Sequence, residues 1–356
     1  MDKRQVRSIA VFRALQLGDM LCSVPALRAL RGGFPAARIS LVGLPSAAHL
    51  LDRYPGLVDE LLRFPGAPGM PEQRANPGEL GRFVADARSR RFDLVIQLHG
   101  SGELTNRIVA RLGARFLAGF VPAGTPAPRG FVPWPEALPE PLRYLRVTRA
   151  LGIPDDGPAF DFPLHAADRV EASALLAEDG LAAGEYICLH AGARLASRRW
   201  PLVHFARVGR MLASRGWPLV LTGTREERVL VGELDHALRA DGVPRALVHR
   251  VDGRTSLGGM AAIVGGSRLL LANDTGVSHI AAGLRHPSVI VASGSDVRRW
   301  APLDAGRHRV LWADAPCRPC AFDHCPHGHA CAWDVAPAAV LAAIDEQLER
   351  HAHAAH

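Results

Sequence analysis

The chain has 356 residues, 48% of them apolar and 22% charged, a balance that excludes a disordered protein and suits two domains better than one core. Its formal charge of +7 favours anionic ligands or an anionic surface, but no concentrated Lys/Arg block with interleaved aromatics is present, so nucleic acid is not an expected partner. No window reaches the roughly 18 apolar residues of a spanning helix. The apolar run after the basic start is short and leads directly into a polar turn, unlike a signal peptide, so a cytoplasmic protein that visits a membrane face is expected.

Arg7 to Phe12 is a strand by its β-branched and aromatic content, and Arg13-Ala-Leu-Gln-Leu-Gly-Asp19 is the loop that follows it. Apolar residues at 20, 21, 24, 27 and 30 then keep a helical period. Further strands are expected at 38–42, 58–62, 92–97 and 115–119, with helices near 46–53, 79–90 and 101–112 between them. Strands alternating with helices in this way predict a doubly wound parallel sheet. Residues 1–165 are therefore one Rossmann-like α/β domain. The stretch 119–135 is too rich in Pro and Gly for regular structure and reads as a loop, and 155–168 reads as the passage toward a hinge.

A second α/β unit, 166–335, has expected strands at 185–190, 218–222, 246–249, 268–272 and 288–292, separated by helices at 202–215, 225–239, 256–265 and 275–284. The two halves share an architecture without a sequence repeat at any fixed period. Residues 336–350 form an amphipathic helix with a Val340, Leu341, Ile344 and Leu348 stripe, expected to pack back on the first domain.

Candidate chemistry gathers on loops after strands, the side of such sheets where ligands bind. Asp19 places a carboxylate at the end of the first strand, where it is either a helix cap or a functional acid. His190-Ala-Gly-Ala-Arg-Leu-Ala-Ser-Arg-Arg-Trp-Pro201 supplies Ser197, Arg198 and Arg199, and a guanidinium grips two phosphate oxygens at once and stays charged. Thr222 and Thr224 flank another strand-to-helix turn, whose Glu226 and Glu227 are explained as well by the helix dipole as by function. Gly253-Arg-Thr-Ser-Leu257 is a turn with an N-cap at Ser256 or Thr255.

The stretch Leu269 to Gly283 is a buried strand, a polar turn at Asn273-Asp274, and a helix that Thr275 is placed to cap. Unpaired N–H groups and the helix dipole make Thr275 and Gly276 an anion-binding mouth, with Asp274 at its edge and His279 about one turn in. Cys317, Cys320, Cys325 and Cys331, spaced x2, x4 and x5 with histidines between, admit three readings: a structural zinc or iron–sulfur site, a disulfide or redox pair, or reduced thiols in an irregular loop. No Gly-x-Gly-x-x-Gly run, Walker loop or well-placed Asp-x-Asp pair is present, so no cofactor is expected for catalysis.

Four motifs in this order, Arg13-Ala-Leu-Gln-Leu-Gly-Asp-Met-Leu-Cys-Ser-Val-Pro-Ala-Leu, Arg198-Arg-Trp-Pro, Asn273-Asp-Thr-Gly-Val-Ser-His-Ile-Ala-Ala and the Cys317 to Cys331 block, resemble glycosyltransferase family 9, the heptosyltransferases of lipopolysaccharide core synthesis. The resemblance implies two Rossmann-like domains facing across a cleft (the GT-B type), the second binding the nucleotide-sugar. It also implies inverting transfer, usually from ADP-heptose to a lipid-linked glycan acceptor. It assigns Asp19 as general base, Arg199 to the diphosphate where the family usually has lysine, and Asp274 to the sugar hydroxyls. Thr275 and Gly276 become the diphosphate-binding helix mouth, with His279 in the same motif. This chain departs from the pattern at Ala14-Leu15-Gln16-Leu17, where a serine-rich stretch is common. A transferase with another nucleotide-sugar donor, and a non-catalytic binding or scaffold protein of the same fold, are the alternatives.

Overall fold

The structure, a computed structural model, describes residues 2–351. Two compact units divide the chain, Met1–Phe160 and Asp161–His356.

The first unit holds strands β1 (Ser8–Phe12), β2 (Arg38–Gly43), β3 (Glu60–Arg63), β4 (Leu94–Gln97), β5 (Phe116–Val121) and β6 (Phe131–Pro133). Its helices are α1 (Leu17–Leu21), α2 (Val24–Gly33), α3 (Ala48–Arg53), α4 (Pro77–Ser89), α5 (Thr105–Ala110) and α6 (Glu140–Ala150). The strands form one sheet in the order β3-β2-β1-β4-β5-β6 with every pair parallel. Helices cover both faces of such a sheet, and accordingly Ile9, Ala10, Val11 and Phe12 of β1 are all buried.

Two local expectations change. The single helix predicted after Asp19 is two, because Pro25 at the start of α2 has no N–H to continue the ladder. The Ser23 hydroxyl closes the break by donating to the Met20 carbonyl at 2.6 Å. The Pro/Gly-rich stretch contains a strand after all: Phe131–Pro133 pairs with Gly119–Val121 at the sheet edge. Pro133 is tolerated there, since an edge strand has no outer ladder to donate to. Gly119 is required at φ +152, because a Cβ would approach the Gln97 carbonyl oxygen to 2.7 Å.

The second unit holds β7 (Ile187–His190), β8 (Leu219–Leu221), β9 (Val248–Arg250), β10 (Leu269–Asn273), β11 (Ser288–Val291) and β12 (His308–Leu311). Its helices are α7 (Ala166–Ala177), α8 (Leu202–Ser214), α9 (Arg228–Ala240), α10 (Leu257–Gly266), α11 (Gly276–Gly283), α12 (Val297–Trp300), α13 (Ala330–Trp333) and α14 (Pro337–Arg350). The sheet order β12-β11-β10-β7-β8-β9, all parallel, is the order of the first unit repeated. Strand β12 and helix α7 were not expected from the sequence. The chain joins this unit by Phe162, whose N–H donates to the Gly283 carbonyl at 2.9 Å.

In helix α14, Val340, Ala343 and Ile344 are buried in the second unit's own core, against α8 and strands β10 to β12. The stripe is as apolar as the sequence indicated, but the nearest uncovered face belongs to the sheet it follows. No helix among the described residues is long and apolar enough to cross a membrane.

Candidate active site

In a sheet of this order the connections leave in opposite directions from its two central strands, and the crevice between their C-terminal ends is where ligands bind. That point lies between β1 and β4 in the first unit and between β7 and β10 in the second. The candidate residues cluster at these two places.

In the first unit the chain leaves β1 at Arg13, a fully buried arginine. Its Nε donates to the Asp19 carbonyl at 3.0 Å, a bond that Nη2 duplicates, and Nη1 donates to the Leu98 carbonyl at 2.7 Å. Asp19 sits in the first turn of α1, two residues past its start, so it does not occupy the cap position, which is Gln16. After β4, His99 accepts the Ala14 N–H through Nδ1 at 3.2 Å and places Nε2 3.5 Å from Glu72 Oε1. A neutral His99 with Nδ1 accepting carries its proton on Nε2, toward that carboxylate. His99 and Glu72 line a cavity of about 190 Å³ closed by Gly100, Ser101 and Gly102. Neither residue stood out in the sequence, where a His two residues after a short buried strand was the available signal.

In the second unit Asn273, fully buried at the end of β10, ties three segments together. Its Oδ1 accepts the Trp200 N–H at 2.8 Å, and its Nδ2 donates to the carbonyls of Ala191 at 2.8 Å and Gly192 at 3.3 Å. Trp200, itself buried, donates its indole N–H to the Val335 carbonyl at 3.0 Å. The basic loop is thus fixed at both ends, and Arg199 folds over it with Nε donating to the Ala193 carbonyl at 2.9 Å.

The other residues of that loop have a different employment. Ser197 Oγ donates to the Phe322 carbonyl, Arg198 Nη2 donates to the Cys320 carbonyl at 2.6 Å, and a His329 ring nitrogen lies 2.9 Å from the Ser197 carbonyl. The cysteine-rich segment therefore braces the loop. Its four thiols are free, and among the described residues no three His, Cys, Asp or Glu side chains are placed to hold a metal ion. Cys320 Sγ is packed where a Cβ on Gly294 would lie, and the Cys325 sulfur accepts the His327 N–H at 3.4 Å. Burial and the neighbouring thiols push the Cys331 thiol up, against the opposing pull of Arg318.

Thr222 is also turned inward. It is buried, with Oγ1 3.0 Å from His190 Nδ1, whereas Thr224 stays exposed at the mouth. Glu227 Oε2 accepts the Thr224 N–H at 2.8 Å and lies 4.0 Å from His190 Nε2. Burial holds the His190 imidazole below its ordinary range, with the Glu227 charge acting the other way. A Cβ on Gly192 would fall on the Glu227 carboxylate, which would have to move aside. His190, Gly192 and Glu227 are additions to the sequence-derived set.

At the β10 end, Asp274 donates its N–H to the Val291 carbonyl at 3.0 Å and is partly exposed. Thr275 occupies the N-cap of α11, but its side chain makes no capping bond; the Ser278 hydroxyl and N–H instead donate to the Thr275 carbonyl. Helix α11 thus begins at Gly276 without a side chain across its mouth. His279 is buried one turn in, its ring 6.0 Å from that of Trp300. Ser256 caps α10 as expected, accepting the Gly259 N–H at 3.0 Å.

The arrangement offers a carboxylate on a turn whose main chain a buried arginine holds in one unit, and a helix mouth, an arginine loop and Asp274 in the other. Lipopolysaccharide heptosyltransferase 1 of Pseudomonas aeruginosa is 27% identical over 338 residues, covering 90% of this chain and 87% of that protein. The solved ADP-heptose lps heptosyltransferase II of Escherichia coli has a TM-score of 0.71 at 20% identity, covering 97% of this chain and 99% of that one. A glycosyl transferase family 9 structure from Veillonella parvula has a TM-score of 0.75 at 18% identity, covering 98% of each chain. At these identities the two structures establish a shared fold. The family model described as glycosyltransferase family 9 (heptosyltransferase) matches residues 81–330. Its match spans the larger part of the chain, and the protein is accordingly a glycosyltransferase belonging to family 9.

Proposed function

We infer that the protein transfers a sugar with inversion, heptose from ADP-heptose, to a lipopolysaccharide core or related glycan acceptor. The observation that supports the reading is that each unit carries its part at its own strand-order switch, Asp19 beside β1 and β4, and a phosphate-suited helix mouth and arginine loop beside β7 and β10. Asp19 takes the acceptor hydroxyl's proton as its oxygen bonds to the anomeric carbon. The bond from that carbon to the diphosphate breaks, and its electron pair leaves with the diphosphate. Arg199 and the N–H groups at the start of α11 stabilise the charge that develops there. Asp274 accepts from hydroxyls of the transferred sugar, and Thr224 and His279 are assigned to the donor as well. Ser197, Arg198 and Thr222 serve the donor by holding this loop and strand end in place.

The relative from P. aeruginosa is named for lipopolysaccharide, which supports a lipid-linked acceptor and, with it, work at the cytoplasmic face of the inner membrane. The test is transfer by purified wild type and Asp19→Asn with ADP-heptose and a core acceptor. The substitution is expected to lower the rate by about 10²–10⁴-fold. A wild-type rate in Asp19→Asn sinks the base assignment, and turnover only with a different nucleotide-sugar replaces heptose as the donor.

A further inference from the structure

Arg13 does more than close the end of β1. It is 0% exposed, as is Glu140, and Arg143 is 1% exposed, so three ionisable side chains lie inside the first unit. Glu140 Oε1 is 2.5 Å from Arg143 Nη1, and Glu140 Oε2 is 3.8 Å from Arg13 Nη2. Both guanidinium groups are stacked on rings, Arg13 4.2 Å from the Tyr144 centroid and Arg143 4.2 Å from the Trp134 centroid. The Glu140 carboxylate on one side and the Tyr144 ring on the other flank the Arg13 guanidinium and restrict the orientation of its fork.

That fork reaches main chain at two places. Two of its nitrogens converge on the Asp19 carbonyl and the third holds the Leu98 carbonyl. The next peptide donates Ala14 N–H to His99. One rigid cation thus fixes the turn that carries Asp19 relative to the loop that carries His99, at the C-terminal ends of β1 and β4. A planar guanidinium can hold these two carbonyls together with fixed spacing, whereas a Lys ammonium is a point donor on a flexible stem.

We propose that Arg13, seated by Glu140 and Tyr144, is the positioning residue for Asp19. It touches no reacting atom; it acts by holding the Asp19 main chain so that the carboxylate meets the acceptor hydroxyl. The proposal rests on Asp19 being the base. Small displacements of a positioned group are costly in rate because the reacting atoms must approach within about 3–3.5 Å.

The experiment compares Arg13→Lys, Asp19→Asn and the double variant, reading kcat at saturating donor and acceptor, donor KM, ADP affinity by calorimetry and the thermal midpoint. Arg13→Lys is expected to lower kcat at least tenfold with donor KM and ADP affinity within twofold of wild type. On the residual rate of Asp19→Asn it is expected to act less than twofold, because its effect passes through Asp19. A folded Arg13→Lys with kcat within twofold of wild type overturns the proposal. So does a loss that weakens ADP binding in parallel, or one that is equally large in the Asp19→Asn background. If Asp19→Asn alone turns over at the wild-type rate, it is the base assignment that has failed, whatever Arg13→Lys does. Should Arg13→Lys not fold, Glu140→Gln leaves the Arg13 donors in place and loosens their seat. A threefold or larger fall in kcat with unchanged ADP affinity is then expected, and an unchanged kcat overturns the idea.

Discussion

Replacing Asn273 by Ala tests whether one buried amide holds the donor half together. The side chain makes three hydrogen bonds, two of them at 2.8 Å, to groups on Trp200, Ala191 and Gly192. Trp200 and Ala191 are each 1% exposed, so their freed N–H and carbonyl find no water. A stranded buried donor or acceptor costs about 1–3 kcal/mol, so the two strong bonds together predict a destabilisation of about 2–6 kcal/mol. Of the six tryptophans only Trp134 lies in the first unit, so fluorescence during urea unfolding reports mainly the second. The expected result is a lower midpoint for that transition and ADP bound at least tenfold more weakly, because the Arg199 loop loses its anchor. An unchanged midpoint with unchanged ADP affinity would refute the argument that Asn273 organises the site.

Gly192→Ala drives a methyl group into the Glu227 carboxylate, which must leave the Thr224 N–H. A stability loss of about 1–3 kcal/mol is expected from overpacking, and Glu227→Ala in the same chain should recover most of it; a double variant no better than the single one would show the clash to be irrelevant. The pH dependence of stability follows from His286 and His308. Burial lowers them from 6.5 to about 3 and about 4, beside Ser267 and Ser288 hydroxyls at 2.8 Å. Unfolding lets both take up protons below pH 6.5 while the folded chain does not. Their stabilisation is therefore full above 6.5 and is lost as pH falls from there toward 4, each site contributing on the order of 2 kcal/mol of loss by pH 5. The thermal midpoint should drop from pH 7 to 5, and His308→Asn should flatten that slope; a wild-type midpoint independent of pH over this range contradicts the reasoning. The paired carboxylate Glu60, held at about 2 with the Arg38 hydrogen bond as the first cause, acts only in the more acidic window below its ordinary 4.5.

Local chemistry made much of this protein readable from its sequence. Central parallel strands such as Leu269–Asn273 are apolar on both faces, so they declare themselves as runs, and the Gly, Asp and Arg residues after them mark the ligand side of the sheet. Asp19, Arg199 and Asp274 were visible for that reason. The edge strands β6 and β12 were not, because an edge needs neither a long apolar run nor freedom from proline. Partners distant along the chain were equally hidden. The apolar stripe of α14 states that the helix is buried but not against what, and only the packed core shows Val340 and Ile344 lying on their own sheet. Cysteine spacing gave no hint of a second role that only the fold shows: the segment's backbone carbonyls at Phe322 and Cys320 accept from Ser197 and Arg198 and so brace the arginine loop. Arg13 reads in sequence as one more charge after a strand. Its burial against Glu140 and Tyr144, and its grip on Asp19 and Leu98, exist only once the strand order brings β1 beside β4 and lays α6 over them.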